Sequence, residues 1–150
     1  MAYDFKVLND KEFEHLVSDL LSRHLSARIE RFRPGKDKGV DGRFFATARQ
    51  ETVIQCKHWA RSTVASLIKY LEDIERPKID RLKPARYIVV TSLELSRHNK
   101  DQIVAALAPW IKTSSDVYGN EDLNDLLGKS EDIERQHYKL GKGKDFLLNE

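Results

Sequence analysis

The run Ala85-Arg86-Tyr87-Ile88-Val89-Val90-Thr91 is short, rich in β-branched residues and apolar on both faces. Such a strand is buried on both sides, which points to a sheet flanked by helices. The surrounding sequence supplies that cover. Asn9-Asp10-Lys11-Glu12 carries an N-cap residue with a Glu three positions on, predicting a helix to about Leu25. Arg28 to Phe32 reads as a first strand. Arg33 to Gly39 is a turn-rich connection with two glycines, and Val40 to Thr47 with Thr52 to His58 reads as a hairpin. Ser62 or Thr63 caps a second helix to about Glu75, stopped before Pro77. Beyond the buried strand, Ser96 to Leu107 predicts a helix ended near Pro109. Ser115 to Gly119 predicts a short strand, and Glu121 to Leu127 and Glu131 to Leu140 two helices. The expected class is α/β, in the order α-β-β-β-α-β-α-β-α-α, with a mixed central sheet and helices on both faces.

At 150 residues, with 40% apolar and 33% charged residues, the chain suits one globular domain and excludes a disordered one. Residues 1–140 are expected to form it, and the glycine- and lysine-rich 141–150 to be a tail or a linker to a further domain. The single Cys56 excludes a disulfide framework and a multi-thiolate zinc site, so a reducing cytoplasm is the expected location. No apolar run approaches membrane-spanning length, and Met1 to Lys6 holds no signal-peptide core.

Two short stretches carry the chemistry: Gly39-Val40-Asp41-Gly42-Arg43 and Ile54-Gln55-Cys56-Lys57-His58-Trp59. On a strand, Gln55 and Lys57 point one way while Ile54 and Cys56 point the other. An acid, an amide oxygen and a lysine gathered at one sheet edge can hold a divalent metal and a water beside a phosphate. A hard cation such as Mg²⁺ favours oxygen ligands, and Asp41 is its expected principal ligand. No Gly-x4-Gly-Lys-Ser/Thr occurs, so no nucleotide hydrolysis is expected here.

Asp41 within Gly39-Val40-Asp41-Gly42, followed by Gln55-Cys56-Lys57 on the next strand, resembles the catalytic domain of Mrr-type (type IV) restriction endonucleases in the PD-(D/E)XK nuclease superfamily. The likeness spans roughly Phe5 to Leu140. It implies an αβββαβ core and a Mg²⁺-dependent DNA endonuclease, with Mn²⁺ able to substitute, acting in restriction or antiviral defence. It further implies that the Cys56 main-chain carbonyl and the Gln55 side-chain oxygen join Asp41 on the metal. Lys57 would then position the attacking water and offset charge on the phosphate. Gln55 departs from the commoner acidic residue, which leaves one ion or two open. Relatives of this kind are often fused to NTPase or DNA-recognition domains. A non-catalytic nucleic-acid-binding module of the same fold and a junction-resolving nuclease are the alternatives.

The first helix adds Glu14. With Phe13 at zero, Glu14 falls at about 100°, between Leu21 and Leu25 on the apolar stripe. It is either a rim residue reaching solvent or, as the resemblance suggests, an auxiliary metal-site carboxylate. His24 is expected to pack within that stripe, and the Cys56 side chain to be a small buried hydrophobe. His58 and Trp59 could contact DNA or pack the strand end. A single constellation without a repeat implies self-association for double-strand cleavage, and Trp110 and Ile111 mark the surface expected to mediate it.

Net charge is only +2, yet nine basic residues face four acidic ones between Arg28 and Arg61. Arg33, Lys36, Lys38, Arg43, His58 and Arg61 are the candidate DNA contacts. Charge reversal at Arg33, Lys36 or Lys38 is expected to weaken binding to every DNA sequence alike. Each lost phosphate contact should flatten the slope of log K against log salt by about 0.9. Binding titrations across a salt series check this, and equal loss from reversals between Asp116 and Asp132 would refute a basic binding face.

Overall fold

The computed structural model describes residues 3–32, 41–59 and 62–137. Helix α1 (Asp10–His24) opens on the expected capping box, in which the Glu12 amide donates to Asn9 Oδ1 and the Asn9 amide to Glu12 Oε1, both at 2.8 Å. Strands β1 (Glu30–Arg31), β2 (Gly42–Thr47) and β3 (Gln50–Lys57) follow as an antiparallel meander. The first strand is shorter than the Arg28 to Phe32 read from sequence. Helices α2 (Val64–Tyr70) and α3 (Arg76–Leu82), joined by a π-turn over Leu71–Glu75, lead to β4 (Arg86–Thr91). Helix α4 (Arg97–Ala106), β5 (Val117–Tyr118), α5 (Asn120–Gly128) and α6 (Glu131–Gln136) complete the described order. The sheet runs β1-β2-β3-β4-β5, antiparallel on the β1–β3 side and parallel from β3 through β5.

Strand alternation divides the interior into two cores. Ile54, Ile88, Val90 and Tyr118 pack with Phe13, Leu16, Leu20, Leu123 and Ile133 of α1, α5 and α6. Val53, Tyr87, Val89 and Val117 pack with Leu67, Leu71, Ile79 and Ile103 of α2, the π-turn, α3 and α4, and with Leu107, which caps α4. The expected α/β class, a mixed sheet with helices on both faces, is the observed one. Arg86 donates to Asp116 through Nε and Nη2 at 3.0 and 2.7 Å, tying the start of β4 to the turn before β5. Among the described residues no helix is long and apolar enough to cross a membrane.

Three expectations need correction. The second helix does not stop before Pro77: the Arg76 amide donates to Leu71 O five residues back, and α3 starts again with Pro77 in its first turn, where a missing N–H costs no helical bond. Trp110 and Ile111 do not form the exposed apolar pair expected: Trp110 is half-buried and Ile111 buried. Ile111 is 1% exposed, and Trp110 packs on the same core while its indole N–H donates to Asp80 at 2.8 Å. His24 is exposed, its ring edge-on to Tyr118 at the margin of the core.

Helix α6 is held on α1 by Arg23, whose two terminal nitrogens donate to Asp132 at 2.6 and 2.7 Å. That hydrogen bond, ahead of every other influence, lowers the Asp132 carboxyl to about 2. A depressed carboxyl contributes stability above its unfolded value, near 3.9, and loses it as pH falls through about 2. Asp132→Asn should therefore flatten the pH dependence of stability between about pH 4 and pH 2, read from urea midpoints; an unchanged slope would show that the pair contributes nothing.

Candidate functional site

The C-terminal end of β3 opens into a cleft of about 200 Å³ lined by Asp10, Phe13, Glu14, Asp41, Gln55, Cys56, Lys57, His58 and Trp59. Glu14, Asp41, Gln55 and Lys57, separated by up to 43 positions in sequence, thus meet in one place. Asp41 immediately precedes β2, and its amide donates to Ile54 O at 3.2 Å, extending the ladder by one bond. Its carboxylate also bonds the strand: Asp41 Oδ2 accepts the Cys56 amide at 2.8 Å. This charge-assisted bond fixes the carboxylate against the strand end.

Glu14 approaches from α1 and is half-buried, as its place on the helix edge requires. Cys56 packs on the α1 side of the sheet. Burial pushes its thiol well above the ordinary range, and the neighbouring charges of Asp41 and then Glu14 push it further. Two carboxylates therefore lie close to the strand end. Gln55, on the opposite face, is 3% exposed, and its Oε1 is buried with no hydrogen-bond partner. A buried amide oxygen left without a donor costs about 1–3 kcal/mol. A cation in the cleft would relieve that cost, and hard oxygen donors of this kind suit Mg²⁺. Among the described residues no three His, Cys, Asp or Glu side chains group closely enough to hold a metal unaided. The candidate set is instead two carboxylates, one amide oxygen and one main-chain carbonyl.

Lys57 is held by a residue that sequence reading missed. Its Nζ donates to Glu75 Oε1 at 3.2 Å and lies 4.5 Å from the centre of the Tyr70 ring. Glu75 is only 1% exposed. An acid at four-residue spacing among Leu67, Leu71 and Ile79 was the available signal, hidden by ending the helix there.

The basic candidates divide. Arg43 donates to Glu30 at 2.9 Å and Glu51 at 3.2 Å and lies over the Phe32 and Phe45 rings, so two carboxylates already engage its charge. Those partners, Glu30 first, raise its pKa. Arg33, Lys36, Lys38 and Arg61 lie outside the described residues. The His58 ring stacks on Phe13 at 4.6 Å; its Nε2 bonds to the Leu8 carbonyl at 2.6 Å and its Nδ1 to Ser92 Oγ at 2.9 Å. Since a carbonyl only accepts, Nε2 carries a proton. Trp59 packs edge-on to Tyr70 at 5.2 Å.

A mixed five-stranded sheet with an acid before the second strand and Gln-x-Lys closing the third defines a restriction-endonuclease-like α/β domain. A family model described as restriction endonuclease matches residues 5–106, and the chain belongs to that family. The chain is also 37% identical over 140 residues to uncharacterized protein y4cD of Sinorhizobium fredii (strain NBRC 101917 / NGR234). The match covers 93% of this chain and 22% of that protein, so the chain spans about a fifth of its relative's length.

His58→Ala should lower unfolding stability by about 1–3 kcal/mol, since it strands the Leu8 carbonyl and removes a stacked ring. Denaturant unfolding measures it; unchanged stability with weakened DNA binding would assign His58 to a ligand instead.

Proposed function

We propose that this domain is a divalent-metal-dependent endodeoxyribonuclease that hydrolyses phosphodiester bonds in DNA with Mg²⁺, for which Mn²⁺ can substitute. The observation that carries the reading is the orphaned Gln55 Oε1 in a cleft shared with Asp41, Glu14 and Lys57. Asp41, the Gln55 side-chain oxygen and the Cys56 main-chain carbonyl would hold the cation, with Glu14 as the auxiliary carboxylate. When bound, the cation supplies neutralisation of the scissile phosphate and a lowered pKa for a nearby water.

The chain's own residues do the rest. Asp41, fixed by the Cys56 amide, presents its carboxylate without reorganising. The Lys57 ammonium, fixed at the strand end, hydrogen-bonds the attacking water and offsets charge growing on the phosphate oxygens. The phosphate contacts expected of Arg33, Lys36, Lys38 and Arg61 would draw the duplex to the cleft irrespective of sequence. Restriction or antiviral defence in the cytoplasm, within a longer protein bearing DNA-recognition or NTPase domains, is the setting this activity fits. Cutting both strands would take two such sites of opposite polarity, supplied by a second copy.

Purified protein should nick or linearise plasmid DNA with Mg²⁺, and chelation should abolish this. Binding without cleavage in any divalent metal would leave a nucleic-acid-binding module instead. Asp41→Ala and Lys57→Ala should each lower cleavage by about a hundredfold or more while unfolding as cooperatively as the parent; retained activity in either removes it from the site. Gln55→Glu should preserve or raise activity, whereas Gln55→Ala should lose it mainly through metal affinity and recover at high Mg²⁺. A folded but inactive Gln55→Glu would sink the ligand role.

A further inference from the structure

We propose that Glu75, on the π-turn between α2 and α3, is the positioning residue for Lys57. The inference rests on the catalytic reading of Lys57 given above.

Glu75 stands where an apolar residue would pack better. Leu67, Leu71 and Ile79 are buried in one core at four-residue spacing, and Glu75 takes the place between Leu71 and Ile79. A carboxylate taken out of water there is costly unless a cation meets it. Lys57 Nζ does so at 3.2 Å, with Lys78 Nζ further off at 3.8 Å on the more open side. Replacing such a pair with well-packed apolar groups is often neutral or stabilising, so fold stability alone does not account for it.

The backbone is shaped around this contact. In a regular α-helix each four-residue step advances about 40°, so the line from Leu67 to Ile79 would drift by about 120°. The π-turn takes up that drift through the five-residue bond from the Arg76 amide to Leu71 O, keeping Glu75 pointed at the sheet. Lys57 is then held on two sides, by the carboxylate and by the Tyr70 ring, with its side chain only 13% exposed. A long, flexible ammonium side chain is thereby reduced to one position at the end of β3, which is what a group acting on a transition-state charge requires.

The test uses the 150-residue chain and plasmid cleavage at saturating Mg²⁺. Glu75→Gln should lower kcat at least about tenfold while KM for DNA and half-saturating Mg²⁺ stay within about twofold. Glu75→Asp, which keeps the charge but shortens the arm, should retain more kcat than the better-matched Gln. Equal or better activity in Glu75→Gln than in Glu75→Asp overturns the proposal. One measurement needs no variant to fold: in nitrogen-15 NMR of the parent, the Lys57 ammonium protons should exchange more slowly than those of surface lysines. Exchange as fast as theirs also overturns it. Should Lys57→Ala cleave normally, the catalytic reading itself fails; should Lys57→Ala be inactive while Glu75→Gln keeps its kcat, only the positioning role does.

Discussion

Strand β3 is hydrogen-bonded along both edges, antiparallel to β2 and parallel to β4, and buried on both faces over its centre. Every other element is placed by that demand. One face needs α1, α5 and α6; the other needs α2, α3 and α4. Because β3 and β4 run parallel, their carboxyl ends share one edge, and the connection leaving β3 must climb over the sheet before β4 begins. Open α/β sheets place ligands at such carboxyl ends. Here β2 begins one residue after Asp41, and the Asp41 carboxylate accepts the Cys56 amide near the end of β3.

Polar groups in this molecule do two different kinds of work. Arg86 with Asp116, and Arg23 with Asp132, tie elements together through paired hydrogen bonds. Arg43, shared by Glu30 and Glu51, braces the outer strands. The groups around the cleft are arranged otherwise. Gln55 has a buried oxygen without a donor, and Glu75 and Lys57 pair among buried apolar residues. Such departures from a uniformly apolar core are what a functional site is expected to show.

The site is therefore assembled from both faces of one strand. Glu14 comes from the α1 side, while Gln55 and Lys57 extend toward the α2 side, where Glu75 waits on the π-turn. The strand end is where the two faces come within reach of a single ligand. His58, which lines the cleft, links the Leu8 carbonyl and the Ser92 hydroxyl while stacking on Phe13. The same short segment, residues 54–59, thus contributes both to the core and to the cleft.

Local pattern determined much of this in advance. The capping box at Asn9, the alternation through Gln55, Cys56 and Lys57, the apolar run from Tyr87 to Thr91 and the helical angle of Glu14 each depend on neighbours a few positions away. Such signals survive in a linear sequence because helix and strand periods are short. What depended on partners distant in sequence was decided only in three dimensions. Ile111 looks exposed until α3 and α4 bury it beside Trp110, and Pro77 looks like a stop until the π-turn moves it to the start of a new helix. The pairing of Arg43 with Glu30 and Glu51 forms only once the neighbouring strands bring those acids to it, and Glu75 looks like a helix-end residue until the sheet puts Lys57 beside it. Whether a charge is available, neutralised or held for use depends on what the fold sets within about 4 Å of it, and residue type alone does not record that distance.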